Sequence, residues 1–335
     1  MFKSKYFIVT IGHNTSSLTY VVGSEVIEYI EGDITSNKQE FDRVFALDKH
    51  ASIIIILNNQ EQQYERDKFA VASLAEADKM MKEKLKHEYD ESVFKGAINL
   101  DSKNEYLFIT INKNETIRAW LDYLVELPNR IKGVYSFALE AKALLDIVSM
   151  SIKSKWEILV IDNEYIIYCH NQFITKKNII NNLEEEIKTS LADAKYLHFE
   201  GLTIYIIANN TFHLNLTDST FIFTPKELSL KLGIDNKFKS IESLVSYTST
   251  IYKRQYKLYN PDISPLIFVD ILNYFMNIIL AGGVTLMVII FMFLWQYMNE
   301  IKDKVNNINS LISAKEFAIQ YTKDNVIEER MDEGE

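Results

Sequence analysis

The sequence predicts a mixed α/β domain followed by a single membrane-spanning helix and a short helical tail. Three observations predict it. The run Ile278 to Met298 holds no charged residue and is long enough as a helix to cross a bilayer's hydrocarbon layer. Upstream of it, short β-rich runs alternate with stretches of helical spacing. Three short strands leading into a helix and a strand occur twice in succession.

The elements follow in chain order. YFIVTIG, SSLTYVV and EVIEYIEG, between residues 5 and 31, read as three strands with turns at His13-Asn14-Thr15 and Gly23-Ser24. ASIIIIL (51–57) is a buried strand, and residues 66–88 carry helical spacing through Phe69, Ala72, Met80, Met81 and Leu85. YLFITIN (106–112) is a strand, and ETIRAWLDYLVEL (115–127) an amphipathic helix stopped by Pro128. FALEAKALLDIVSM (137–150) is a further helix.

The order then restarts. KWEILVID, EYIIYCH and QFITKK (155–177) are three strands, followed by a helix over 178–194 and a strand over 202–208. Strands near 212–223 lead to a helix start at Thr224-Pro225-Lys226-Glu227, with threonine as cap and proline just inside. A helix over 238–249 closes the domain. This order suggests an internal duplication, although the two halves do not match residue by residue. An unduplicated mixed domain accounts for the same elements.

Composition narrows the function classes. At 335 residues the chain holds one large domain or two medium ones, and 47% hydrophobic residues suffice for a packed core. A net charge of −10 argues against nonspecific binding to nucleic acid or to an anionic membrane surface. Four prolines and ten glycines leave no low-complexity linker. The single cysteine, Cys169, excludes an internal disulfide and suits a reducing compartment.

The charge-free run bears on location. Burial as a core helix is the competing reading, but core helices rarely run this long without charge. Trp295 and Tyr297 at its C-terminal edge favour a headgroup region. The N-terminus is not a signal peptide, so the large domain is expected in the cytoplasm and the tail translocated across the membrane. Local charge (Lys302 and Lys304 behind the run, Lys253, Arg254 and Lys257 further ahead) leans weakly the other way. PLIFVDILNYF (265–275) reads as an interfacial amphipathic segment, or as a lengthening of the span. Beyond the span, Leu294, Met298, Ile301, Val305, Ile308 and Ile312 follow an a/d spacing. One partnerless amphipathic helix explains that spacing almost as well.

Three strands, helix and strand repeated twice is the element order of the actin-like ATPase superfamily. With one C-terminal span added, the chain resembles the bitopic assembly-platform proteins of type II secretion and type IV (bundle-forming-type) pilus systems. LVELPNRIKGVYSFALEAKALL (124–145) looks like that family's passage between lobes. FTPKELSLKLGI (223–234) with KLYNPDISP (257–265) is similar to its closing helix and extended peptide before the span. The resemblance implies an actin-like, RNase H-like domain with lobes at 1–150 and 151–262. A pre-membrane segment at 263–277, a span at 278–298 and a tail at 299–335 would follow. It implies as partners a secretion or pilus assembly ATPase, a polytopic platform protein, another single-span component and further copies of the chain. Nucleic acid is not among them.

Actin-like ATPases hold phosphate and metal with two strand–turn–strand loops, aspartate organising the cation and glycine letting backbone N–H groups approach. Here Thr10 occupies the first aspartate place while Gly12 remains, and Asp162 remains in the second loop with Glu164 where glycine belongs. A carboxylate there repels phosphate oxygens. The strand over 202–208 ends in Ala208-Asn209-Asn210, without the adenosine-side glycine pair. Gly12, His13, Asn14 and Asp162 are therefore candidate remnants of nucleotide loops, and His13 and Asn14 read more simply as turn residues. No cofactor and no turnover are expected.

Other chemistry is thin. No Walker A, GxSxG, HExxH or GxGxxG sequence occurs, and the six histidines lack metal-ligand spacing. Cys169 and His170, adjacent on a strand, point to opposite faces, so Cys169 reads as a buried structural residue. Glu184-Glu185-Glu186 reads as a solvated helix face. The sequence thus points to a non-catalytic membrane scaffold. A membrane-anchored divergent ATPase or kinase, or a single-pass signalling protein, are the rivals.

Overall fold

The computed structural model describes residues 4–12, 15–71, 73–89, 92–100, 104–149, 155–169, 172–196, 203–209, 220–234, 238, 240–251, 256–260 and 264–332. The chain divides into two units, Met1–Val269 and Asp270–Glu335. In the first unit, β1 (Lys5–Gly12), β2 (Ser16–Val22) and β3 (Glu25–Gly32) form an antiparallel meander. The helix α1 (Lys38–Phe45) leads into β4 (Ser52–Asn58), which lies parallel to β1.

A small sheet interrupts the expected order. β5 (Gln62–Lys68), α2 (Leu74–His87), β6 (Val93–Asn99) and β7 (Glu105–Asn112) form a three-stranded antiparallel layer ordered β5-β7-β6. The helix expected over 66–88 is thereby shortened, because residues up to Lys68 pair with β7 and Ser73 caps α2 through the Glu76 N–H. Ala72 lies outside the described residues. The apolar spacing begins at Phe69, just past a strand whose sequence, QQYERDK, shows no alternation to mark its end.

The helix α3 (Glu115–Val125), the strand β8 (Ile131–Ser136) and two short helices, α4 (Phe137–Glu140) and α5 (Lys142–Val148), complete the first half. The single helix expected over 137–150 is thus two pieces. The second half runs β9 (Lys155–Ile161), β10 (Glu164–Cys169), β11 (Gln172–Asn178), α6 (Leu183–Tyr196), β12 (Thr203–Ala208) and β13 (Thr220–Phe223). Strand β11 extends to Asn178, so α6 starts later than expected, and the Glu186 carboxylate accepts the N–H groups of Ile180 and Asn181 at its entry. One of the three consecutive glutamates therefore organises a helix start.

Next come α7 (Pro225–Lys231), opened by the Thr224–Glu227 capping box, then α8 (Ile241–Ile251) and a two-residue strand, β14 (Lys257–Leu258). The larger sheet is ordered β14-β8-β4-β1-β2-β3 and the second β11-β10-β9-β12-β13. Both contain the same plan: a meander whose first strand pairs in parallel with a fourth, and that with a fifth. The duplication expected from element order is present.

Strand alternation decides what each face packs against. On β9, Trp156, Ile158 and Val160 join Ile187 and Leu191 of α6 in one core, while Leu159 and Ile161 join the larger core shared with the first sheet. On β1, Phe7 meets Phe45 of α1, and Thr10 on the other face meets Ser246 of α8. Helices α4, α5 and α8 therefore pack between the two sheets. In the second unit, α9 (Ser264–Asp332) starts before the unit boundary and runs unbroken through the charge-free stretch and the tail. From Ile278 to Gln320 it is exposed, with a mean hydropathy of 2.6 in its most apolar window, and long enough to cross a membrane.

Candidate functional site

The β1–β2 and β9–β10 turns, one from each sheet, face a shared cleft. Gly12, Thr15, Asn58, Gln60, Ile161, Asp162, Asn163, Glu164 and Glu242 line a cavity of about 40 Å³ there. The structure thus brings Gly12 and Asp162 together, whereas His13 and Asn14 lie outside the described residues. Small-molecule sites occupy roughly 300–1,000 Å³. This cavity is far below that.

Each residue kept from the loop pattern has a local role. The Gly12 N–H donates to the Thr15 carbonyl at 3.0 Å, and a Cβ on Gly12 would lie 2.4 Å from that oxygen. Glycine is required here by the turn itself. Asp162 opens the tight turn between the paired residues Ile161 and Glu164 and has φ +46, a left-handed conformation that aspartate tolerates better than most residues.

Glu164, which the sequence marked as a departure, and residues it did not single out close the cleft. Glu164 is buried and pairs with Lys176 of β11 at 2.9 Å. The Lys176 ammonium also donates to Asn58 Oδ1 and to the Asn59 carbonyl, tying the second sheet's edge to the end of β4. Burial pulls the Lys176 ammonium below the ordinary lysine range, against the opposing pull of Glu164. Its charge is spent on the protein's own carboxylate.

Opposite stands Glu242, in the first turn of α8. Burial first, then the nearby charges of Asp162 and Glu31, push its carboxyl from 4.5 up to about 7. The cleft is therefore acidic and short of free cationic donors among the described residues. Thr10, in the place of the first-loop aspartate, shares a 2.5 Å hydrogen bond with Ser246 and fastens α8 to β1. Asn209, where the glycine pair is missing, accepts the Ile241 N–H at the start of α8. All three departures from the nucleotide-binding pattern have become structural ties. Among the described residues no cluster of His, Cys, Asp or Glu forms a metal site. Cys169 is fully buried and its thiol is pushed up to about 12 by burial, which keeps it an unreactive core residue.

No protein-family model and no curated protein sequence matches the chain. Among solved structures it is similar to the cytoplasmic domain of EpsL, an inner membrane component of the type II secretion system of Vibrio cholerae. That match has 13% identity and a TM-score of 0.44, covering 68% of this chain and 94% of that one. A chain of the PilM-PilN type IV pilus biogenesis complex matches at 9% identity and a TM-score of 0.49, covering 72% and 96%. A Bacteroides thetaiotaomicron protein with actin-like ATPase fold and unknown function matches at 15% identity and 0.40, covering 73% and 96%. The strand order decides the fold. It is a duplicated mixed α/β one, with the same five-strand plan in both sheets.

Proposed function

We propose that the chain is a non-catalytic, single-pass inner-membrane scaffold of a pilus or type II secretion assembly platform. The observation that carries this reading is the closed acidic cleft: the place where an actin-like ATPase holds phosphates is filled by the Lys176–Glu164 pair and faced by Glu242. Gly12 and Asp162 serve there as turn residues. The exposed apolar stretch of α9 supports the membrane anchor. In this reading the lobes at 1–150 and 151–262 stay cytoplasmic and dock an assembly ATPase. The pre-membrane segment at 263–277 lies in the interface, the span at 278–298 crosses beside a polytopic platform protein, and the tail at 299–335 meets another single-span component or a second copy outside.

Two measurements on the full chain in detergent test it. Co-purification from its native membrane should bring down a hexameric assembly ATPase. Mg-ATP should leave its melting temperature unchanged. A thermal shift with Mg-ATP that Asp162→Ala abolishes would replace the scaffold by a membrane-anchored ATPase. Purification with no secretion or pilus component would remove the platform assignment and leave a single-pass signalling protein.

A further inference from the structure

The last strand before α9 is held by two sheets at once. β14 pairs antiparallel with β8, through Lys257 opposite Tyr135 and Leu258 opposite Val134. The next residue, Tyr259, exchanges both backbone hydrogen bonds with Lys95 of β6, at 2.9 and 2.6 Å. The Asn260 amide then donates to the Val93 carbonyl at 2.9 Å. The same few residues therefore form the sixth strand of the larger sheet and clasp the edge of the small one.

Side chains and glycines fit this arrangement. Leu258 is buried, and a Cβ on Gly96 of β6 would stand 3.0 Å from its Cδ2. A Cβ on Gly133 of β8 would meet Lys257 Cε at 3.1 Å. Gly96 lets the strand lie close against β6. Only residues 261–263 separate Asn260 from the first residue of α9, Ser264. Three residues span at most about 14 Å across four links of roughly 3.5 Å.

We propose that residues 257–260 form a strap that couples the anchoring helix to the small sheet. Displacement of α9 loads the strap first. The strap is the shortest of the described strands, so it opens before the six-residue β8 and the seven-residue β6 that it joins. Opening frees the β6 edge and the outer edge of β8 together, leaving two strand edges unpaired. The small sheet stays attached through Phe94, Ile98, Leu107 and Ile109 in the main core. The device is thus a releasable edge within a folded domain. It requires α9 to be held in a membrane and is independent of the secretion or pilus assignment.

Hydrogen exchange on the full chain in lipid nanodiscs tests the clasp, using Tyr259→Pro, which removes the N–H bonded to Lys95, and the milder Leu258→Ala. Amides at 93–99 and 131–136 should exchange about tenfold faster, and those at 155–178 should not change. Unchanged exchange at 93–99 in both variants, or an equal rise at 155–178 in both, overturns the proposal. A Gly96→Cys, Leu258→Cys pair tests the load path by single-molecule pulling from the C-terminal tail. Oxidation should move the first extension event to higher force, and reduction should restore it. A first event identical in both forms overturns the coupling.

Discussion

The two sheets share one strand plan but are held together by different chemistry. The first is stabilised by apolar and aromatic packing: Phe7 against Phe45, Phe41 edge-on to Trp120, and five consecutive buried residues from Ile53 to Leu57. The second has an apolar core under α6, but its other face contains ions. Glu157 is fully buried on β9 between Lys142 and Lys155, 3.0 Å from each, with Ser149 donating to it as well. Glu164 and Lys176 form a second buried pair at its edge. Burial of apolar area is forgiving and graded, whereas a buried charge is tolerable only while its partner stays. Substitutions in the first sheet should therefore cost stability by degrees, and loss of an ion from the second should cost it abruptly.

The largest test of that difference is Glu157→Ala. It strips the buried Lys155 ammonium of its carboxylate and leaves Lys142 only Asp146, and should cost about 3–5 kcal/mol, seen as a large fall in melting temperature. A triple replacement of Lys142, Lys155 and Glu157 by Met, Met and Leu should recover most of it. If the triple variant is no better than the single one, the ionic account of the second lobe fails. In the first lobe, Ile55→Val should cost only about 0.5–1.5 kcal/mol, the ordinary response of a well-packed aliphatic site.

Lys176→Met comes next. It strips Glu164 of its counter-ion and Asn58 and Asn59 of their donor, and a loss of roughly 1–3 kcal/mol is expected. Faster hydrogen exchange at both the β4 end and β11 would show that this lysine joins the sheets; a change confined to β11 would limit its role to one lobe.

Glu242 gives a pH signature. Its folded-state carboxyl is raised from 4.5 to about 7, so between those values the native protein binds more protons than the unfolded chain. Its contribution is fully present below pH 4.5 and disappears as pH rises through about 7. Melting temperature measured from pH 5 to pH 8 should fall, by the equivalent of roughly 1–2 kcal/mol from this group, and Glu242→Gln should flatten the profile. A slope that persists unchanged in that variant would move the effect elsewhere. The smallest effect is expected at Ile180, which is 81% exposed: Ile180→Ser should stay within about 0.5 kcal/mol.

Much of this architecture was legible locally. The meanders 5–31 and 155–177 announced themselves as β-rich runs punctuated by turn residues, and the Thr224-x-x-Glu227 spacing marked a helix start that the capping box confirms. Strands β5 and β6 were not legible. QQYERDK has no apolar alternation because β5 lies at a sheet edge, and VFKGAIN contains the glycine that admits Leu258. Both exist because β7 pairs with them on either side. Of the cleft, Gly12, Asp162 and Glu164 were visible in advance as kept or altered places of a loop pattern, while Asn58, Lys176 and Glu242 carried no local signal.

What the sequence determined alone is what neighbours along the chain encode. The charge-free run of α9, the alternation of the strands and the turn at Asp162 depend on periodicities and backbone preferences within a few residues. The tertiary structure decided what depends on distant partners. Lys176 reaches Asn58 across 118 positions and Thr10 reaches Ser246 across 236, and only the folded sheets place those groups within hydrogen-bond distance. Whether the cleft between the lobes is open or tied shut is therefore a property of the assembled core, because the charges that shut it come from strands and a helix far apart in the chain.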